Sequence, residues 1–313
     1  MRVAAVGECM IELRLRGDGG YDLAFGGDTY NTAVYLRRLG IPVDYVTALG
    51  DDPFSDDIVA MCRAEGIGTD LVARASGRLP GLYLIKTDAL GERTFFYWRD
   101  RSPAREVFEL PTGGQVAEEL QGFDLIYLSG ITLSLYSQQG LSLLFSALDR
   151  ARTRGCRVAF DGNYRPAGWS DAATARAAFG AMMERADIAL PTFDDERLLH
   201  GDATVQNCAE RFRDVDEIVI KDGRNGCVLV SAGETQVVGV ESVVDPVDTT
   251  AAGDSFNAGY LAARLNGAEP ATAARVGHRL AGTVIRYRGA IIPRDAMPAI
   301  DDLFLHPDPR TTP

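Results

Sequence analysis

The stretch "DTTAAGDSF", residues 248–256, sets one carboxylate behind a run of small and hydroxyl residues. Thr250, Ala251, Ala252 and Gly253 carry little side chain, so their main-chain N–H groups can approach a ligand closely. The apolar spacing of "SFNAGYLAARL" predicts a helix from here on. The N–H groups would then lie at a helix N-terminus, which attracts anions through free donors and the helix dipole. An anion hole with Asp254 at its mouth suits transfer of a phosphoryl group to a hydroxyl, with Asp254 taking the hydroxyl proton. Asp is also a favoured helix cap, so the segment alone leaves both roles open.

A second segment, "GGDTYNTAVYLRRLG" at 26–40, pairs Gly26 and Gly27 with a predicted helix. Asp28 and Asn31 stand three apart at its start and can face one way, toward a polyhydroxyl ligand. Asp28 also fits a plain cap.

These residues need elements to hold them. Short β-rich runs alternate with helical patterns along the chain. "VAAVGECMIEL" reads as a first strand, and Gly40 closes the helix after it. "FDLIYLSG", "RVAFDGN", "ADIALPT" and "EIVIKDG" are further strands, each beside a helical segment. This rhythm predicts an α/β fold with a doubly wound, mostly parallel sheet, in which ligands sit beyond the carboxyl ends of the strands. Residues 79–100 break the rhythm. "LPGLYLIKTDALGERTFFYWRD" reads as a hairpin turning at Gly91. With residues 13–25 it would form a small β-sheet lid that excludes water. The expected organisation is one α/β domain over 1–300 and a disordered tail over 304–313.

Composition bounds the partners. The net charge of −12 over 313 residues argues against nucleic acid and against acidic membranes. No apolar run reaches the roughly 18 residues of a membrane span. Five scattered cysteines fit free thiols in a reducing cytoplasm.

Taken together, "GGDTYNTA" and "DTTAAGDSF" resemble the two signatures of the PfkB family of ribokinase-like sugar kinases. The resemblance covers roughly residues 2–300. It implies ATP as phosphoryl donor, Mg2+ carried mainly on the phosphates, and Asp254 as general base with the turn 251–254 as anion hole. Family members usually have Gly where Ala251 stands. Ala keeps the backbone accessible unless a positive φ is required, so the departure puts little in doubt. Further stretches, among them "GECMIEL", "GERTFFYWR", "NYRP" and "YRGAIIPRDAMP", resemble the branch of this family that phosphorylates 2-keto-3-deoxygluconate at its terminal hydroxyl. On that resemblance Gly27, Asp28 and Asn31 bind the sugar acid. Tyr83 and Tyr97 would line it from the lid. Arg99 and Arg165 would meet its carboxylate, for which a guanidinium fork is suited. Arg165 could instead face the nucleotide phosphates.

The nucleotide side would draw on Asn163, Thr192, Lys221, Gly223, Gly226, Thr250 and Gly253. "LPTFDDE" stands where the family carries Asn-x-x-Glu; here the positions are Thr192 and Asp195. His278 would either line the adenine side or pack in the core. The lid sheet is also the expected surface for a homo-oligomer. A kinase of fructose, ribose or a nucleoside is the nearest alternative, and Arg99 with Arg165 separates it from an acid kinase. A nicotinamide dehydrogenase lacks support because no G-x-G-x-x-G follows the first strand. A non-catalytic sugar sensor would be expected to lack Asp254.

Overall fold

The computed structural model describes residues 1–87 and 93–302. The Gly91 turn and the tail 304–313 lie outside the described residues.

The main sheet has nine strands among the described residues. In chain order they are β1 (Val3–Val6), β4 (Val43–Leu49), β5 (Val72–Arg74), β8 (Leu125–Ser129), β9 (Arg157–Asp161), β10 (Ile188–Ala189), β11 (Glu217–Lys221), β12 (Cys227–Ser231) and β13 (Glu234–Val238). Their spatial order is β13-β12-β11-β10-β9-β8-β1-β4-β5. Strand β1 pairs in parallel with both β4 and β8. The chain therefore winds outward in two directions from β1, and a crevice opens at that switch point. In β1, Val3 and Ala5 join one core cluster while Ala4 and Val6 join the other. That alternation is what a strand covered on both faces requires.

One face carries helices Asp28–Arg38, Pro53–Ala64, Ala252–Leu265 and Pro270–Val284. The opposite face carries Gly113–Glu119, Gln138–Thr153 and Ala172–Met183. Helix Asp28–Arg38 ends as its sequence predicts, with Gly40 at φ +86°. Helix Pro53–Ala64 starts on Asp52, whose side chain accepts from the Phe54 and Ser55 amides.

The smaller sheet has four strands, ordered β3-β2-β6-β7. These are β2 (Met10–Leu15), β3 (Tyr21–Gly26), β6 (Leu82–Thr87) and β7 (Arg93–Trp98). The β6–β7 antiparallel pair matches the hairpin read over 79–100, and β2 joins it in parallel along β6. One expectation changes. "VAAVGECMIEL" is two strands in different sheets, because the chain leaves the main sheet at Gly7 and Glu8. The mostly parallel main sheet ends in two antiparallel strands, β12 and β13, because "DGRNG" makes a tight turn after β11.

Candidate active site

Helix Ala252–Leu265 begins directly after Ala251, which adopts the left-handed conformation, φ 60° and ψ 19°. A positive φ is thus required at the position where the family usually carries Gly, so the condition under which Ala251 matters is met. An L-residue held there is strained by about 1–2 kcal/mol. Ala251 occupies the cap position with no side-chain cap. Asp254 lies inside the first turn, buried, and its Oδ2 accepts from Asn31 Nδ2 at 2.8 Å. The Thr32 hydroxyl reaches the Asp254 carbonyl at 3.2 Å. The Asp254 side chain therefore faces the start of helix Asp28–Arg38 rather than capping its own helix.

A second carboxylate, Asp28, accepts from the Ser129 hydroxyl at the end of β8 and from Asn163 Nδ2 at 2.8 Å. Asn163 itself sits at φ 33°. Its side chain thus reaches the carboxylate that opens helix Asp28–Arg38. A third, Asp161 at the end of β9, accepts from Lys221 Nζ at 3.0 Å and from Asn257 Nδ2 at 2.8 Å. Lys221 also donates to Asn257 Oδ1 at 2.9 Å. A Cβ built on Gly253 would stand 3.7 Å from Lys221 Nζ. One ammonium therefore lies beside the helix N-terminus, within reach of any anion docked there.

Burial is the largest influence on Asp254 and Asp28. It raises the Asp254 pKa well above the usual carboxylate range; the Asp28 and Asp161 charges add to the rise, and Asn31 and Lys221 oppose it. Asp28 is raised for the same leading reason, with its Ser129 bond opposing. Asp254 is thus a stronger base than an exposed aspartate.

Close packing accounts for the glycine pair. A Cβ on Gly27 would stand 2.0 Å from the Glu8 carbonyl oxygen, and one on Gly26 2.7 Å from the Tyr83 hydroxyl. That hydroxyl donates to Glu12. Tyr97 lies beside Arg99, whose guanidinium carbon is 5.9 Å from the ring centre. Burial raises the Tyr97 pKa, with the Arg99 and Arg165 charges opposing and the Asp28 charge adding to the rise. Neither arginine is free: Arg99 donates to Glu8, and Arg165 donates to both Asp195 oxygens at 3.1 Å.

On the far side of the helix N-terminus lies a cleft of about 360 Å³. Gly223, Val243, Pro246, Thr249, Ala252 and His278 are among its walls. His278 bonds Val238 O at 3.1 Å and packs 5.0 Å from the Phe256 ring, so it is both wall and core. Thr192 bridges to Lys221 across the strand ends. The Thr250 amide donates to Asp248. Gly226 has φ +93°, and a Cβ there would stand 2.2 Å from Val238 O, so it makes the β11–β12 turn possible.

Sequence reasoning missed Glu8, Ser129, Asp161 and Asn257 as site residues. Asp161 and Asn257 carried a usable signal, because each lies next to a residue already singled out, at a strand end or one helical turn past Asp254. All five cysteines are buried and free.

A doubly wound sheet with an uncapped helix N-terminus, a lysine beside it and a buried aspartate in the first turn fits a phosphotransferase. Residues 1–297 match the pfkB family carbohydrate kinases, and the chain belongs to that family. Among its relatives is a 2-dehydro-3-deoxygluconokinase of Dickeya dadantii (strain 3937), 47% identical, covering 95% of this chain and 98% of that one. The 2-dehydro-3-deoxygluconokinase of Escherichia coli (strain K12) is 46% identical over 95% and 99%. A fructokinase with bound ATP from Xylella fastidiosa has the same fold, with a TM-score of 0.82 at 20% identity over 97% of each chain.

Proposed function

We propose that this chain transfers the terminal phosphoryl group of ATP to the end hydroxyl of 2-dehydro-3-deoxygluconate, the 2-keto-3-deoxy sugar acid, giving its 6-phosphate. The observation that carries the reading is Asp254, buried in the first turn of an anion-attracting helix and held by Asn31 from the sugar-side helix. Relatives at 46–47% identity that bear this activity in their names support the substrate.

Each residue then has a task. Asp254 accepts the proton as the hydroxyl attacks. The amides of 252–254 and Lys221 stabilise charge on the transferring group. Asp28, fixed by Ser129 and Asn163, orients substrate hydroxyls. Arg99 and Arg165 select the carboxylate, with Tyr83 and Tyr97 as walls of a lid that keeps water out. The cleft beside Ala252 takes the nucleotide base, with Gly223 and His278 on its walls. Asp161, Asp195 and Thr192 offer only oxygen donors, which suits Mg2+. Bound through the phosphates, that ion would neutralise their charge.

The kinase domain spans 1–300 in this reading, and the protein works in the cytoplasm on small molecules, without nucleic acid or membrane. No helix among the described residues is long and apolar enough to cross a membrane. Tyr21, Leu23, Phe95, Phe96 and Trp98 are exposed on the small sheet, which supports self-association through the lid. The deciding assay is ATP consumption with a panel of keto-deoxy acids beside fructose and ribose. Preference for fructose over the keto acid would leave only the broader sugar-kinase reading.

A further inference from the structure

Glu8 lies where the chain leaves β1 for the small sheet, between the two halves of the site. It is 2% exposed. One oxygen, Oε2, accepts from Arg99 Nη2 just past the end of β7. The other, Oε1, has no partner among the described residues, and neither has Arg99 Nε. Gly81 makes room for the pair: a Cβ there would stand 2.8 Å from Glu8 Oε1 and 3.1 Å from Arg99 Cβ. The Glu8 carbonyl also presses on Gly27, next to Asp28. A single buried residue of the body thus fixes a lid guanidinium and touches the sugar-side turn.

We infer that Glu8 is a positioning residue for the reaction, setting the place of Arg99 over the sugar acid. This rests on the proposed reading that Arg99 faces the substrate carboxylate. A guanidinium on a flexible stem loses rotamer freedom when it binds. An arginine already held by one edge has less left to lose, which is the benefit of a supporting residue behind a contact residue. Charge alone argues the other way: Glu8 is an anion near an anionic substrate, so removing its charge should strengthen binding. The sign of the effect therefore separates position from charge.

The test is steady-state kinetics on the full-length protein with 2-dehydro-3-deoxygluconate and with ATP. Glu8→Asp keeps the charge but withdraws the acceptor by one methylene. Its KM for the keto acid should rise about tenfold, with kcat and the KM for ATP within about threefold of wild type. Glu8→Gln keeps an acceptor in place without the charge, and its KM should stay at or below the wild-type value. In an Arg99→Met background, Glu8→Asp should add nothing further. The inference is overturned by a wild-type KM in Glu8→Asp, by a raised KM in Glu8→Gln, or by an effect of Glu8→Asp that persists without Arg99. Should Glu8→Asp not fold, Glu8→Gln and Arg99→Met decide it: the KM must stay at or below wild type in Glu8→Gln and rise in Arg99→Met. Failure of wild-type protein to phosphorylate the keto acid is a separate result, and it removes the functional reading instead.

Discussion

Asn31 holds Asp254 by a 2.8 Å hydrogen bond between residues 223 positions apart in the chain. Helix Asp28–Arg38 thereby fixes the carboxylate that, in the proposed reaction, accepts the hydroxyl proton. Asp254→Asn keeps the size and an acceptor for Asn31 but cannot take a proton. The expected loss in kcat is at least about 10²-fold, with the fold intact by circular dichroism. Near-normal turnover in the folded variant would remove Asp254 from the chemistry.

The raised Asp254 pKa makes a second expectation about stability. The folded protein binds this proton more tightly than the unfolded chain, whose Asp has an ordinary pKa of about 3.9. Stability from this group is complete below that value and is lost as pH rises through the folded value. Asp254→Asn escapes the loss. The variant should melt above wild type at neutral pH, with the difference shrinking toward acid. Meanwhile wild-type activity should climb with pH through the raised pKa, because the base must be ionised. A lower melting temperature for the variant at neutral pH would mean that Asp254 is better accommodated as an anion than its burial suggests.

Ala251 stands at φ 60° without a glycine's freedom. Ala251→Gly should stabilise the protein by about 1 kcal/mol, read from denaturant midpoints at unchanged slope. Ala251→Val should destabilise it. Equal midpoints for Ala and Gly would show that flexibility gained in the unfolded chain offsets the relief.

Lys221 and Asp161 are both buried, and Lys221 Nζ is 3.0 Å from Asp161 Oδ1. Lys221→Met strands an anion in the interior and should cost about 3–5 kcal/mol. Adding Asp161→Asn should recover much of that stability while leaving phosphoryl transfer poor, since the cation at the helix terminus is still gone. Recovery of activity along with stability would place Lys221 outside the phosphate site.

Arg99→Met and Arg165→Met test substrate class. Each charged contact is worth roughly 1.5–3 kcal/mol, so the KM for the keto acid should rise roughly 10- to 100-fold in each. A neutral sugar of similar length should lose little. Equal weakening of both substrates in Arg165→Met would assign that residue, with its partner Asp195, to the phosphates.

Much of this was legible in the sequence because it is local. The Asp254 turn, the Gly26–Gly27 entry to a helix and the β6–β7 hairpin are each written within one short stretch. What needs two distant stretches was not legible. The Asp161–Lys221–Asn257 cluster joins two strand ends to the second turn of a helix, and no spacing rule connects them. Glu8 reads as part of a continuous apolar strand until the structure shows the chain changing sheets there. Ala251 was judged by chemistry, and only the backbone angle shows its strain.

The four strands of the small sheet come from two excursions of the chain, 10–26 and 82–98, that leave the nine-stranded sheet uncut. Tyr83 and Tyr97 ride on the second excursion and Arg99 follows its last strand; Asp254 and Lys221 belong to the body. In the proposed reading, the lid's share of selectivity, Tyr83, Tyr97 and Arg99, thus lies on a separate piece of sequence from the transfer chemistry, while Asp28, Asn31 and Arg165 stay with the body. Point changes, insertions or a reshaped hairpin can retune which sugar is admitted while the nine-stranded frame and its base stay as they are. The exception is Glu8, at the seam between the two, where a change of sugar would also have to renegotiate the join.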